Sequence, residues 1–210
     1  MDIKKVITNL IKSLQDQGYS FEESLHASAF EESFGYQSGI KKMASNLLQS
    51  ITKNLVSYDH IDKAAFVRDY KRFQQNIDDR MLFTYAYKSG ALSIVGIIYA
   101  DDLSINELKS IFNKLDDGVT NVMKAHVGQA NGQDAGTYGT MLLVFENTNK
   151  ARNFNSSIRN YFSSHFMAST YISTITVDCQ SSTLTQGKAG LFGKWQGGMD
   201  VSTLKNKLFV

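Results

Sequence analysis

Apolar residues at Ile3, Val6, Ile7, Leu10, Ile11 and Leu14 fall on one face of a helix, and Gly18 supplies a stop. Ser20, with Glu23 three residues on, reads as a capping box and predicts a short acidic helix over 21–33. "FGYQSG" breaks it. Ile40, Met43, Ala44, Leu47, Leu48, Ile51 and Leu55 form the cleanest stripe in this part of the chain. Asp59 or Asp62 then caps a further helix carrying Phe66, Tyr70, Phe73 and Ile77.

The period changes at Asp79. "RMLFTYAYKSGALSIVGIIYADD" predicts two strands joined at Ser89-Gly90. Met81, Phe83, Tyr85 and Tyr87 share one face of the first. The second is apolar on both faces, which predicts a central position in a sheet. "SINE" at 104–107 is a second capping box. It opens a long stripe of Ile105, Leu108, Ile111, Phe112, Leu115, Val119, Val122 and Met123, which Asp116-Asp117-Gly118 would interrupt. A glycine-rich stretch over 128–139 precedes the strand "TMLLVFE". Ala151, Phe154, Ile158, Tyr161 and Phe162 mark another helix, "TYISTITVDC" a β-branched strand, and Asp200 caps "VSTLKNKLF".

The order is helices, then β-β-α-β-α-β, then a helix. It predicts an α+β fold: a mainly antiparallel sheet with helices packed on one face. Residues 1–78 read as a helical region and 79–210 as the sheet region, together one compact unit.

Net charge is +2 over 210 residues, too small to argue for nucleic acid by itself. It is uneven: residues 101–146 carry seven acids against three lysines, and 147–210 seven basic residues against two acids. Cys179 is the only cysteine, so no intramolecular disulfide forms, which fits a reducing compartment. No window is long and apolar enough to span a bilayer, and the N-terminus lacks a signal-peptide core. A cytoplasmic location without membrane insertion is the expectation. Lysine outnumbers arginine 17 to 5 and proline is absent, a usage that suits an AT-rich bacterial source.

The glycines at 128–139 do not make a phosphate loop. They follow a helix and precede a strand, the reverse of the required order, and hold no lysine. They read as a connector in which glycine relieves backbone constraint. His26, His60, His126 and His165 show no metal-ligand spacing. Cys179 forms a nucleophile only if His126 or His165 meets it in space. Asp101-Asp102 and Asp116-Asp117 are pairs able to hold a cation or do acid–base work, but negative charge near a helix start also has a structural use. No metal or cofactor is expected, and no catalytic residue is assigned.

One stretch stands apart. "GKAGLFGKWQGG" sets Phe192 and Trp195, the only tryptophan, beside Lys188 and Lys194 among five glycines. Aromatics of this kind anchor protein interfaces. The same composition suits single-stranded nucleic acid, and the rings could equally close over the core. The expectation is a non-catalytic adaptor or chaperone-like subunit of a bacterial complex, of the kind found in secretion, with a protein partner or a second copy bound through Lys188, Phe192, Lys194 and Trp195. The alternatives are a nucleic-acid binder using the basic C-terminal third, and a hydrolase or transferase without a visible motif.

Overall fold

The computed structural model describes residues 2–33, 62–88, 91–126, 136–158, 163–165, 170–187 and 199–210. Helices are α1 (Ile3–Asp16), α2 (Ala27–Ser33), α3 (Lys63–Gln75), α4 (Ile105–Gly118), α5 (Thr148–Ile158) and α6 (Val201–Leu208). Strands are β1 (Leu82–Lys88), β2 (Ala91–Tyr99), β3 (Thr137–Phe145), β4 (Ser163–His165), β5 (Thr170–Asp178) and β6 (Thr183–Gln186). The amphipathic stripe over 40–55 and the Ser89-Gly90 turn lie outside the described residues.

The caps explain where several helices start. Asp62 accepts from Ala65 N at 3.0 Å, and Asp200 from Thr203 N at 3.0 Å. Ser104 and Glu107 complete the reciprocal capping box. The aspartates at 116–117 do not interrupt α4. It runs to Gly118 and passes into a π-helical turn, Val119–Met123. "SFEE" starts no helix. Ser20 instead exchanges backbone hydrogen bonds with Tyr85, and helix begins only at Ala27. A backbone committed to a strand edge cannot also enter a helical ladder.

Six strands form one mixed sheet in the order β1-β2-β3-β5-β4, with β6 also on β5. The expected antiparallel character holds only at the margins. β1/β2, β4/β5 and β5/β6 are antiparallel, whereas β2/β3 and β3/β5 are parallel. The α4 and α5 crossovers supply those parallel pairs. β4 and β6 are short edge strands that the sequence pattern did not reveal.

Helices cover both faces of the sheet, not one. Phe83, Ile94, Ile98, Met141, Leu143 and Ile172 pack with α3, α4 and α5. Leu82, Val95, Ile97, Leu142, Val144, Ile175 and Val177 pack with α1, α2 and α6. The reason is in the strands: every residue of β3 is buried, and β2 is buried except at its two ends. Leaving either face wet would expose a row of aliphatic side chains, each worth about 1.5–3 kcal/mol when buried.

Two close approaches hold the first face together. A Cβ on Gly96 would strike Met81 Sδ and lie 3.1 Å from the Phe83 ring. Gly139, assigned to the connector above, lies inside β3, where a Cβ would strike Ile172 and Val119. Its role is packing. The buried amide of Gln74 clamps the segment after α1 from both sides: Nε2 donates to Glu23 O at 2.7 Å and Oε1 accepts from Leu25 N at 2.9 Å. That segment also covers the outer edge of β1, where Ser24 Oγ accepts from Phe83 N.

Gly96→Ala should cost about 1–3 kcal/mol in urea unfolding, because Met81 and Phe83 must leave their rotamers. An unchanged midpoint would show that they have room. Tyr70 is fully buried among Phe66, Phe73 and Tyr85, and its hydroxyl has no partner among the described residues. Tyr70→Phe should therefore leave stability unchanged or raise it, whereas a loss above about 1 kcal/mol would reveal a hydrogen bond there.

Candidate functional site

β2, β3 and β5 run parallel, so their C-terminal ends meet at one rim of the sheet. In open α/β sheets this is the rim where ligands bind. Here it carries an open cleft of about 470 Å³ lined by Asp101, Glu146, Asn147, Cys179 and Gln180. The strand ladders set their spacing: Ala100 N donates to Val144 O at 2.9 Å and Cys179 N to Phe145 O at 2.8 Å.

The carboxylates at this rim are engaged. Asp101 is buried, and its Oδ2 accepts from Glu146 N at 2.9 Å and Asn147 N at 3.2 Å. It thereby ties the chain leaving β2 to the chain leaving β3. Tyr99 Oη lies 2.9 Å from Glu146 Oε2 and 3.3 Å from Asp101 Oδ2. Burial, then the hydrogen bond to Glu146 and the two negative charges, push this phenol well above its ordinary value. Lys150 Nζ donates to Asp101 O, and Asn147 Oδ1 accepts from Asn149 N at 2.9 Å as the cap of α5.

The β5 end is built the same way. Asp178 Oδ1 accepts from Thr148 Oγ1 at 2.9 Å and Ser181 N at 3.0 Å, while Gln180 Oε1 accepts from Thr148 N at 3.2 Å. Burial raises the Asp178 carboxyl, but the Ser181 amide and the hydroxyls of Ser181 and Thr148 outweigh it and leave the pKa lowered. Cys179 is 1% exposed, and burial, with Glu146 and Asp178 adding to it, pushes the thiol up to about 12. It is a protonated core residue at neutral pH.

The remaining sequence candidates do not converge. His126 sits after the π turn, near the opposite end of the sheet from Cys179. Its Nε2 is 3.0 Å from Asp69 Oδ2, its ring stands edge-on to Phe66, and Tyr87 Oη donates to its carbonyl. His26 lies just before α2. His60 and the side chain of His165 lie outside the description. Asp102 is exposed, and Asp116 and Asp117 sit at the end of α4, away from the rim. Among the described residues no group of three or more His, Cys, Asp or Glu is placed to hold a metal ion. No described helix is long and apolar enough to cross a membrane. The proposed partner-binding residues Lys188, Phe192, Lys194 and Trp195, and the glycines at 128 and 132, also lie outside the described residues.

Sequence reasoning missed Tyr99, Glu146, Asn147 and Gln180. The one available signal was that "SIVGIIYA", "MLLVF" and "ISTITV" are each followed directly by an acidic residue, Asp101, Glu146 and Asp178. That pattern brings chemistry together only if the three strands are parallel. No family model, curated protein or solved structure matches the chain.

Asp101→Ala should cost about 1–3 kcal/mol, because the N–H groups of Glu146 and Asn147 lose their acceptor. A loss within about 0.5 kcal/mol would show that water replaces it, as at ordinary surface positions. The lowered pKa of Asp178 means that its contribution is complete above the unfolded carboxyl value. It is lost as pH falls through the folded one. Stability measured from about pH 6 down to pH 3 should therefore fall less steeply in Asp178→Asn than in the parent, a range set by the unfolded value near 3.9. Equal slopes would contradict the assignment.

Proposed function

We propose that the protein is a non-catalytic interaction module, an adaptor or chaperone-like subunit of a bacterial complex, of the kind found in secretion. The observation that carries this reading is how the polar groups of the ligand-favoured rim are used. Asp101, Asn147, Asp178 and Gln180 each accept from backbone N–H groups, and Cys179 is a buried thiol. These groups hold strand ends and a helix cap in place.

The ends of the 188–198 segment supply the second support. Gly187 N donates to Thr174 O at 2.8 Å, fixing its start to β5. At its far end Met199 is buried, and Gln17 bonds both backbone groups of Asp200, at 2.7 and 3.2 Å. A segment pinned at both ends to a rigid frame is a common place for binding residues. Its glycine content raises the entropic cost of holding any one conformation, a cost that contact with a partner offsets. The nucleic-acid alternative gains less from the geometry. Lys150 and Arg152 lie on α5 and Lys205 and Lys207 on α6, helices on opposite faces of the sheet. The described basic residues of this third thus form no single face.

Trp195 is the only tryptophan, so its fluorescence reports this segment alone. On this reading the isolated protein emits at long wavelength and is quenched by acrylamide. Phe192→Ala with Trp195→Ala should cost under about 1 kcal/mol of stability. A blue-shifted, unquenched Trp195 together with a loss of about 3 kcal/mol in the double variant would place both rings in the core and remove the proposed surface.

A further inference from the structure

The two edges of the sheet are treated differently. β1 is covered by the chain at Ser20 and Ser24. The other margin carries β4 and β6, paired with successive parts of β5; β6 is Thr-Leu-Thr-Gln, with Thr183 and Thr185 exposed. β6 pairs with β5 through Asp178↔Thr183, Thr176↔Thr185 and the Gly187 N to Thr174 O bond. Backbone bonding alternates along an antiparallel pair, so the peptide groups of Leu184 and Gln186 point away from β5. Among the described residues nothing accepts from or donates to them. An edge of this kind is ordinarily blunted by charge, proline, a cover or a very short length, and β6 has only the last of these. β6 has no charged residue and no proline.

We propose that β6 pairs antiparallel with β6 of a second copy of this chain, joining two sheets across a two-fold axis. The alternation fixes the register. Leu184 faces Gln186 of the partner subunit as a hydrogen-bonded pair, and Gln186 faces the partner's Leu184. Thr185 meets the partner's Thr185 on the axis as the closer, non-hydrogen-bonded pair. A two-fold places each side chain at the axis against itself, so a charged residue there would repel its own copy. Threonine does not, and Thr–Thr pairs across strands are favourable. The strand carries no charge to repel its own copy. It is also only four residues long, so the dimer is a weak one that depends on concentration. The pairing uses none of residues 188–198 and stands or falls apart from the reading of them.

The test is sedimentation velocity of the full chain over a wide concentration range. The parent should move from monomer towards dimer as concentration rises. Thr185→Lys and Thr185→Glu should each remain monomeric at every concentration, since each places like charges face to face, and an equimolar mixture of the two should dimerise again. Because Thr185 is exposed, both variants should keep the parent's circular dichroism. In the parent, hydrogen exchange at the Leu184 and Gln186 amides should slow as concentration rises while Gly187 stays unchanged. A parent that is monomeric throughout overturns the proposal, and so does a dimer that survives in Thr185→Lys alone. If a variant fails to fold, the concentration dependence of the two parent amides decides: no slowing overturns the pairing.

Discussion

Burial of the parallel strands β2, β3 and β5 on both faces is the constraint on which the rest of the structure depends. Two parallel crossovers in the same direction carry α4 and α5 to one face, where α3 joins them. That leaves Leu142, Val144, Ile175 and Val177 on the other face without a crossover helix to cover them. The two ends of the chain do so. α1 and α6 lie side by side there, held by Asn9 Nδ2 to Leu208 O at 3.2 Å, by the Gln17–Asp200 pair, and by an exposed Lys207–Asp16 contact that adds little. The apolar stripe from Ile3 to Leu14 is thus one half of a core whose other half comes from strands that begin only at Leu82.

The same parallel arrangement gathers three strand ends, and with them the polar residues that leave the core first. Asp101 and Glu146 converge beside Cys179 because the register brings them level, with Asp178 one residue earlier opposite Phe145, whether or not any chemistry is done there. Their hydrogen bonds run mainly to backbone N–H groups of the neighbouring strand end or of the following turn. Removing such acceptors from a buried rim leaves donors unpaired, which is why this cluster is a matter of stability first.

Much of the local structure was legible. The 3–4 spacing marked α1, α3 and α4, and Asp62, Ser104 and Asp200 cap the helices they were expected to cap. The both-face apolar character of "ALSIVGIIYA" marked a central strand. Strand direction was not legible, because a fully buried strand reads alike in parallel and antiparallel neighbours. β5 was harder still. Thr174 and Thr176 suggest a wet face, yet both are buried, with Thr176 Oγ1 bonded to Asn155 at 2.9 Å. Ser20 misled for a related reason: its capping-box neighbours are genuine, but its backbone is taken by Tyr85. The rim cluster depended on topology and so stayed hidden. The segment with Phe192 and Trp195 was visible only by composition, and only its anchored ends, Gly187 and Asp200, enter the structural account.

Native-state hydrogen exchange tests the two-faced core most directly. If the chain's two ends close the second face, the amides of Val6, Leu10 and Leu14 in α1 and those of α6 should share the slow exchange of β3 and β5, with one denaturant dependence. That is the signature of a single cooperative unit. If α1 and α6 instead exchange early and independently while β3 and β5 stay protected, the second face is not held by the chain ends, and the account fails at its base.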